Sequence, residues 1–185
     1  MTWGIYVSIG EELTLEELVY GLMLRSGNDA ALAIATYVSG NVEDFVQKMN
    51  EKAKIIGMNH TTFNNPSGLD QEKGNYSTAY DMALLMSTAM QNEIFRKITK
   101  TKKIIVKTNL KTYEWQNKNK LLNMYKYATG GKTGYTQIAK RTLVTTASKN
   151  NVNLVAVTLV DGDDFNDHKN LFEEAIIYFN AKNKM

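Results

Sequence analysis

The sequence predicts an α/β protein of the α+β kind, a helical lobe packed on an antiparallel sheet, and three observations predict it. Apolar residues recur at helical spacing from Leu15 to about Ile98. From Lys102 onward β-favouring residues take over, with Ile104, Val106, Tyr113 and Trp115 in two short runs. A closing stretch from Phe165 to Phe179 returns to helical spacing and offers an apolar stripe that can cover one sheet face. With no internal repeat, low-complexity segment or linker, residues 1–185 read as one unit. The helical lobe spans about 12–98, and the sheet with its closing helix about 99–181.

Each element has a local cause. Thr14 and Glu17 form a capping-box pattern ahead of Leu15, Leu18, Val19 and Leu22, which predicts a helix ending near Arg25. Ser26-Gly27-Asn28 then supplies turn-forming residues directly before the apolar run Ala30 to Val38, so the triplet belongs in a tight link between two helices. A third helix carries Val42, Phe45, Val46, Met49, Ala53 and Ile56, with Gly57 as its terminating glycine. Asn59 to Gly74, which holds the only proline, reads as an ordered surface loop. Thr78 and Asp81 suggest a second capping box, and a short helix around Ile94 to Ile98 completes the lobe.

Lys102–Thr108 and Lys111–Gln116 read as a hairpin, and Arg141–Ser148 with Asn153–Val160 as a second one. The nearly unbroken apolar run Leu154 to Val157 predicts a strand covered on both faces, and so one in the sheet interior. Methionines 82, 86 and 90 share a helix face and read as core filling.

Bulk properties exclude several function classes. The chain is 43% apolar and 22% charged, as a folded globular protein requires, and its net charge of +3 is too small to argue for a nucleic-acid partner. The absence of cysteine removes thiolate catalysis, disulfides and cysteine metal sites, and no metal or organic cofactor is expected. No apolar run reaches the roughly 20 residues of a membrane span. Met1 to Gly10 lacks the layout of a secretory signal. Arg96 to Lys126 holds ten Lys or Arg against one acid, Glu114, which could attract anionic polymers but reads better as a solubilising face. His60 reads as a surface hydrogen-bonding residue.

Two tripeptides carry the chemistry, Ser26-Gly27-Asn28 and Lys132-Thr133-Gly134. Either alone is an ordinary turn or the start of a strand. In this order they match two of the three motifs of β-lactamases and penicillin-binding proteins. The flanks LTLEELVYGLMLRSGNDAALAIA, FVQKMNEKAKIIGMNHTTFNNPSGLD, YSTAYDMALLMSTAM and GGKTGYT closely resemble D-alanyl-D-alanine carboxypeptidases of the low-molecular-weight penicillin-binding class, from about Tyr6 to Phe179.

The resemblance implies a β-lactamase/transpeptidase-like fold with five antiparallel strands, and a cleft between lobe and sheet. It also implies roles. Ser26 would relay a proton to the leaving D-alanine nitrogen, and Asn28 would hydrogen-bond a substrate backbone amide, with Gly27 permitting the compact turn. Lys132 would place a positive charge beside Ser26 and the substrate carboxylate, which the Thr133 hydroxyl would bind, while Gly134 leaves the cleft clear. The Tyr135 amide would donate to the oxyanion. His168 falls where relatives carry a basic carboxylate-binding residue, and its sequence leaves a substrate role and a structural one equally open.

The third motif is absent: none of the seven serines has lysine three positions later, so the acylating nucleophile and its lysine base are not encoded. The chain therefore reads as truncated, without the family's nucleophile helix, N-terminal strands, C-terminal β-domain and membrane anchor. The resemblance implies an extracytoplasmic parent acting on peptidoglycan stems ending in D-Ala-D-Ala and trapped by β-lactams. The present chain is expected to be inactive alone, with a binding module as the alternative, and its uncovered strand edges could form a strand-paired or swapped homodimer.

Overall fold

The computed structural model describes residues 4–70 and 74–182, so residues 71–73 of the expected 59–74 loop lie outside the described residues. Helix α1 (Leu15–Arg25) starts as its sequence dictates: the Thr14 side chain accepts from the Glu17 N–H at 3.2 Å and the Glu17 carboxylate accepts from the Thr14 N–H at 2.8 Å. Helices α2 (Asn28–Ser39) and α3 (Val42–Ile55) follow, and Gly57 takes φ 85° just past α3, where a side chain would be strained. After the loop come α4 (Ala79–Ala89) and α5 (Glu93–Lys100).

Asp81 is not the second half of a reciprocal cap. Its backbone N–H does donate to Thr78 Oγ1, but its buried carboxylate accepts from the His60 N–H at 2.8 Å and Thr61 Oγ1 at 2.7 Å, tying the 59–70 loop to α4. Burial opposes the charge, and these hydrogen bonds outweigh it, holding the carboxyl below its usual range. His60 is exposed, as its sequence suggested.

The strands form two sheets. β1 (Lys103–Lys107) and β2 (Thr112–Gln116) pair antiparallel, and their inward residues Val106, Tyr113 and Trp115 join Ile5, Tyr20, Leu24, Ala30 and Ile98 in one core. This hairpin therefore packs with the helical lobe rather than extending the main sheet, because its alternate residues need the face that α1 offers. A one-turn helix, α6 (Leu121–Met124), leads into β3 (Ala128–Thr136), β4 (Lys140–Lys149) and β5 (Val152–Leu159), an antiparallel sheet in that order. Helix α7 (Asp164–Lys182) closes one face, burying Phe172 against Tyr125, Ala128, Ala147 and Ala156.

The expected interior position of Leu154–Val157 is corrected here: among the described residues β5 pairs only with β4, and β4 is central. β5 is apolar because helices pack on it, α4 and α7 both touching the strand. β4 can be central although rich in threonine because the hydroxyls are satisfied, Thr146 accepting from Thr129 at 2.8 Å and Thr145 meeting His168 at 2.6 Å. No helix among the described residues is long and apolar enough to cross a membrane.

Candidate active site

The α1–α2 junction is built by backbone geometry. Ser26 caps α1 in the left-handed conformation, φ 59° and ψ 46°, with its N–H donating to Leu22 O at 3.0 Å and the Gly27 N–H to Gly21 O at 3.3 Å. A non-glycine residue there costs about 1–2 kcal/mol, so a serine at this cap is retained against local preference. Gly27 itself has an ordinary φ of −68°. Its bare backbone is needed for space, since a Cβ would press within 3.0 Å of Ile5 Cγ2. Ile5 is held close because the Asp29 carboxylate accepts from the Ile5 N–H at 2.9 Å and the Val7 N–H at 3.1 Å.

The opposite wall is the β3 edge. Thr99, fully buried at the end of α5, accepts from the Gly131 N–H at 2.8 Å and donates to Gly131 O at 2.9 Å, clamping the residue before Lys132. Gly130 lies so close to Thr99 that a Cβ would collide with it, and a Cβ on Gly134 would collide with Thr142 Oγ1. A side chain at 134 would thus need the Thr142 hydroxyl to turn away.

These walls bring the two tripeptides together. Lys132 Nζ donates to Ser26 Oγ at 2.5 Å and to Thr133 O at 2.6 Å. Burial, with the Lys118 charge adding to it, lowers the Lys132 amine from the ordinary lysine value to about 8. Lys118 is itself lowered by burial and by Arg25, and its N–H donates to Leu24 O at 3.2 Å, fixing the 117–119 segment beside the α1 end. Asn28 opens α2 half-buried, Thr133 is half-buried, and Tyr135 is exposed on the same strand. A cavity of about 400 Å³ beside Thr158, Leu171 and Glu174 includes none of these residues.

His168 lies in the core. Its ring is completely buried, with Nδ1 2.6 Å from Thr145 Oγ1, Nε2 3.2 Å from Thr158 Oγ1, and its edge toward Phe172. Burial lowers it to about 4, against the opposing pull of Asp164 and Asp161, so it is neutral near pH 7. The unfolded histidine binds a proton near pH 6.5 and the folded one does not until about 4, so His168 costs stability as pH falls through that interval. Denaturant midpoints of the wild type should drop between pH 6.5 and 4 more steeply than those of His168→Asn.

Lys118, Thr99, Asn119 and Asp29 were not singled out from sequence. Only the Asn117-Lys118-Asn119 triplet between a strand and a one-turn helix gave any local sign of the first and third.

Ser-Gly-Asn at the α1–α2 junction and Lys-Thr-Gly on β3 match two of the three sequence motifs of β-lactamases and penicillin-binding proteins. The family model described as D-alanyl-D-alanine carboxypeptidase matches residues 2–163. The chain is 42% identical over 154 residues to D-alanyl-D-alanine carboxypeptidase DacF of Bacillus subtilis, covering 83% of this chain and 39% of that protein. It is 38% identical to DacB2 of Mycobacterium tuberculosis, covering 80% of this chain and 51% of that one. A crystal structure of a D-alanyl-D-alanine carboxypeptidase from Mycobacterium tuberculosis superposes with a TM-score of 0.88 at 32% identity, covering 94% of this chain and 68% of the other. A mutant Streptomyces DD-transpeptidase matches with a TM-score of 0.87 at 32% identity, covering 97% and 73%. The chain belongs to the D-alanyl-D-alanine carboxypeptidase family, and spans about two fifths to one half of these two curated relatives.

Proposed function

We propose that this chain supplies the substrate-binding and proton-relay half of a serine-type D-alanyl-D-alanine carboxypeptidase of peptidoglycan maturation, in the bacterial cell envelope. The observation that supports it is the 2.5 Å contact between Lys132 Nζ and Ser26 Oγ, which joins two separate motifs into one groove. A stem peptide ending in D-Ala-D-Ala would place its carboxylate against Lys132 and the Thr133 hydroxyl, with Lys118 adding positive potential. Asn28 would bind the peptide amide, the Tyr135 N–H would stabilise the oxyanion, and Ser26 would pass a proton to the departing amine. β-Lactams would occupy the same groove.

Acylation in this reaction needs a serine whose lysine lies three positions on, and no serine of the 185 has one. The chain alone therefore binds and does not turn over. Incubation with a diacyl-Lys-D-Ala-D-Ala peptide should give saturable binding, weakened by Lys132→Met, and no D-alanine; release of D-alanine at an enzymatic rate would sink this reading. A binding module would give the same result alone, so the two are separated by adding a polypeptide that carries a serine-x-x-lysine motif, after which only the enzyme half should release D-alanine. If a second chain completes the protein, the β5 edge, unpaired among the described residues, offers strand pairing, including to another copy, and a strictly monomeric species at all concentrations removes that corollary.

A further inference from the structure

We propose that Ser26 and Lys132 themselves form a nucleophile and base, so that this chain accepts an acyl group from activated esters onto the Ser26 hydroxyl. The geometry is that of a serine–lysine pair: Oγ and Nζ are 2.5 Å apart, within the reach required for direct proton transfer. Ser26 stands in a left-handed turn between two helices, a strained position that lifts its side chain out of both helix surfaces toward β3. Lys132 donates to Ser26 Oγ and Thr133 O, both neutral, and among the described residues no carboxylate pairs with the amine.

The surroundings favour the neutral amine. Lys118 faces it from the 117–119 segment, with Arg25 behind Lys118 on α1, while the Asp29 carboxylate is turned to the Ile5 and Val7 amides. α5 contributes Thr99 and β4 pairs through Val144, and neither side chain titrates. Lys132 is accordingly half deprotonated near pH 8.

With the amine neutral, Ser26 Oγ bonds to the ester carbonyl carbon while its proton passes to Lys132 Nζ. Collapse of the tetrahedral adduct breaks the bond to the aryl oxygen, the phenolate leaves with the electron pair, and Lys132 returns its proton to solvent. Water then cleaves the acyl-serine to a carboxylate and the free hydroxyl. Activated esters are the expected acyl donors because a phenolate leaves without being protonated, whereas a peptide amine departs only once Lys132 has handed it the proton taken from Ser26. This inference is independent of the carboxypeptidase reading, and each can fail alone.

The test is acetylation by p-nitrophenyl acetate, followed by phenolate release and peptide mapping. Ester and amide adducts are separated by hydroxylamine, which removes only the ester. The expected result is one hydroxylamine-labile acetyl on Ser26, formed at a rate that rises through about pH 8, with phenolate release about a hundredfold slower in Lys132→Met. Lys132→Arg, which keeps the charge without a usable base, should be equally impaired and guards against a folding artefact. An acetyl on Lys132 Nζ, a Ser26 adduct no faster than those on other serines, or unchanged labelling in Lys132→Arg would overturn it.

Discussion

Gly131→Ala will remove about 2–4 kcal/mol of stability, a shift of roughly 5–15 °C in melting temperature for a chain of this size. Gly131 sits at φ 152°, and an added Cβ would meet Val144 O at 2.5 Å, Asn119 Nδ2 at 2.9 Å and Thr145 Cγ2 at 2.9 Å. Two of these groups cannot yield. Val144 O belongs to the central strand of the sheet, and Asn119 is buried with its Oδ1 accepting from the Leu121 N–H. Thr99 also grips Gly131 through both backbone groups, so a displaced residue 131 would give up those hydrogen bonds. The loss should appear in the urea midpoint with little change in slope, and it should weaken peptide binding because Lys132 is the next residue.

Lys132→Met will have the opposite sign. The Lys132 amine titrates near 8 in the fold against 10.5 for an ordinary lysine, so at neutral pH the protein carries a charge that its environment disfavours. That difference corresponds to at most about 3 kcal/mol, and methionine, similar in length and apolar, should recover about 1–3 kcal/mol at pH 7. The sign follows from proton counting: between pH 8 and 10.5 the unfolded lysine holds its proton and the folded one has lost it, so wild-type stability gains on the variant as pH rises. Stability difference against pH should therefore be widest near pH 7 and should close toward pH 10. A functional group held at a cost to the fold is the usual trade in a binding groove.

Sequence read the helical lobe well because its signals are local. The Thr14–Glu17 box, the Gly57 terminator and the turn at residues 26–28 depend on neighbours within a few positions, and each stands where the residues placed it. The sheet was harder. Leu154–Val157 looked interior from hydrophobicity alone, whereas the central strand is the threonine-bearing β4, whose hydroxyls find partners on β3 and α7 that no local window contains. α6 is one turn long and leaves no period to detect. At the candidate site, the tripeptides were legible as motifs, but Thr99, Lys118 and Asp29 act across long sequence separations through a few hydrogen bonds or a charge. His168, whose sequence left a substrate role and a structural one equally open, is buried beside Thr145, a neighbour that no local window contains.

The central claim is that Ser26 and Lys132 touch across the groove, and the absence of cysteine from this protein allows a direct measurement. In Ser26→Cys the introduced thiol is the only one, so its ionisation can be followed by thiolate absorbance without interference. Beside the Lys132 ammonium its pKa should lie at least about one unit below the ordinary 8.5, and in Ser26→Cys with Lys132→Met it should rise above 8.5 because burial then acts unopposed. A thiol that titrates at or above 8.5 in both proteins would contradict the account.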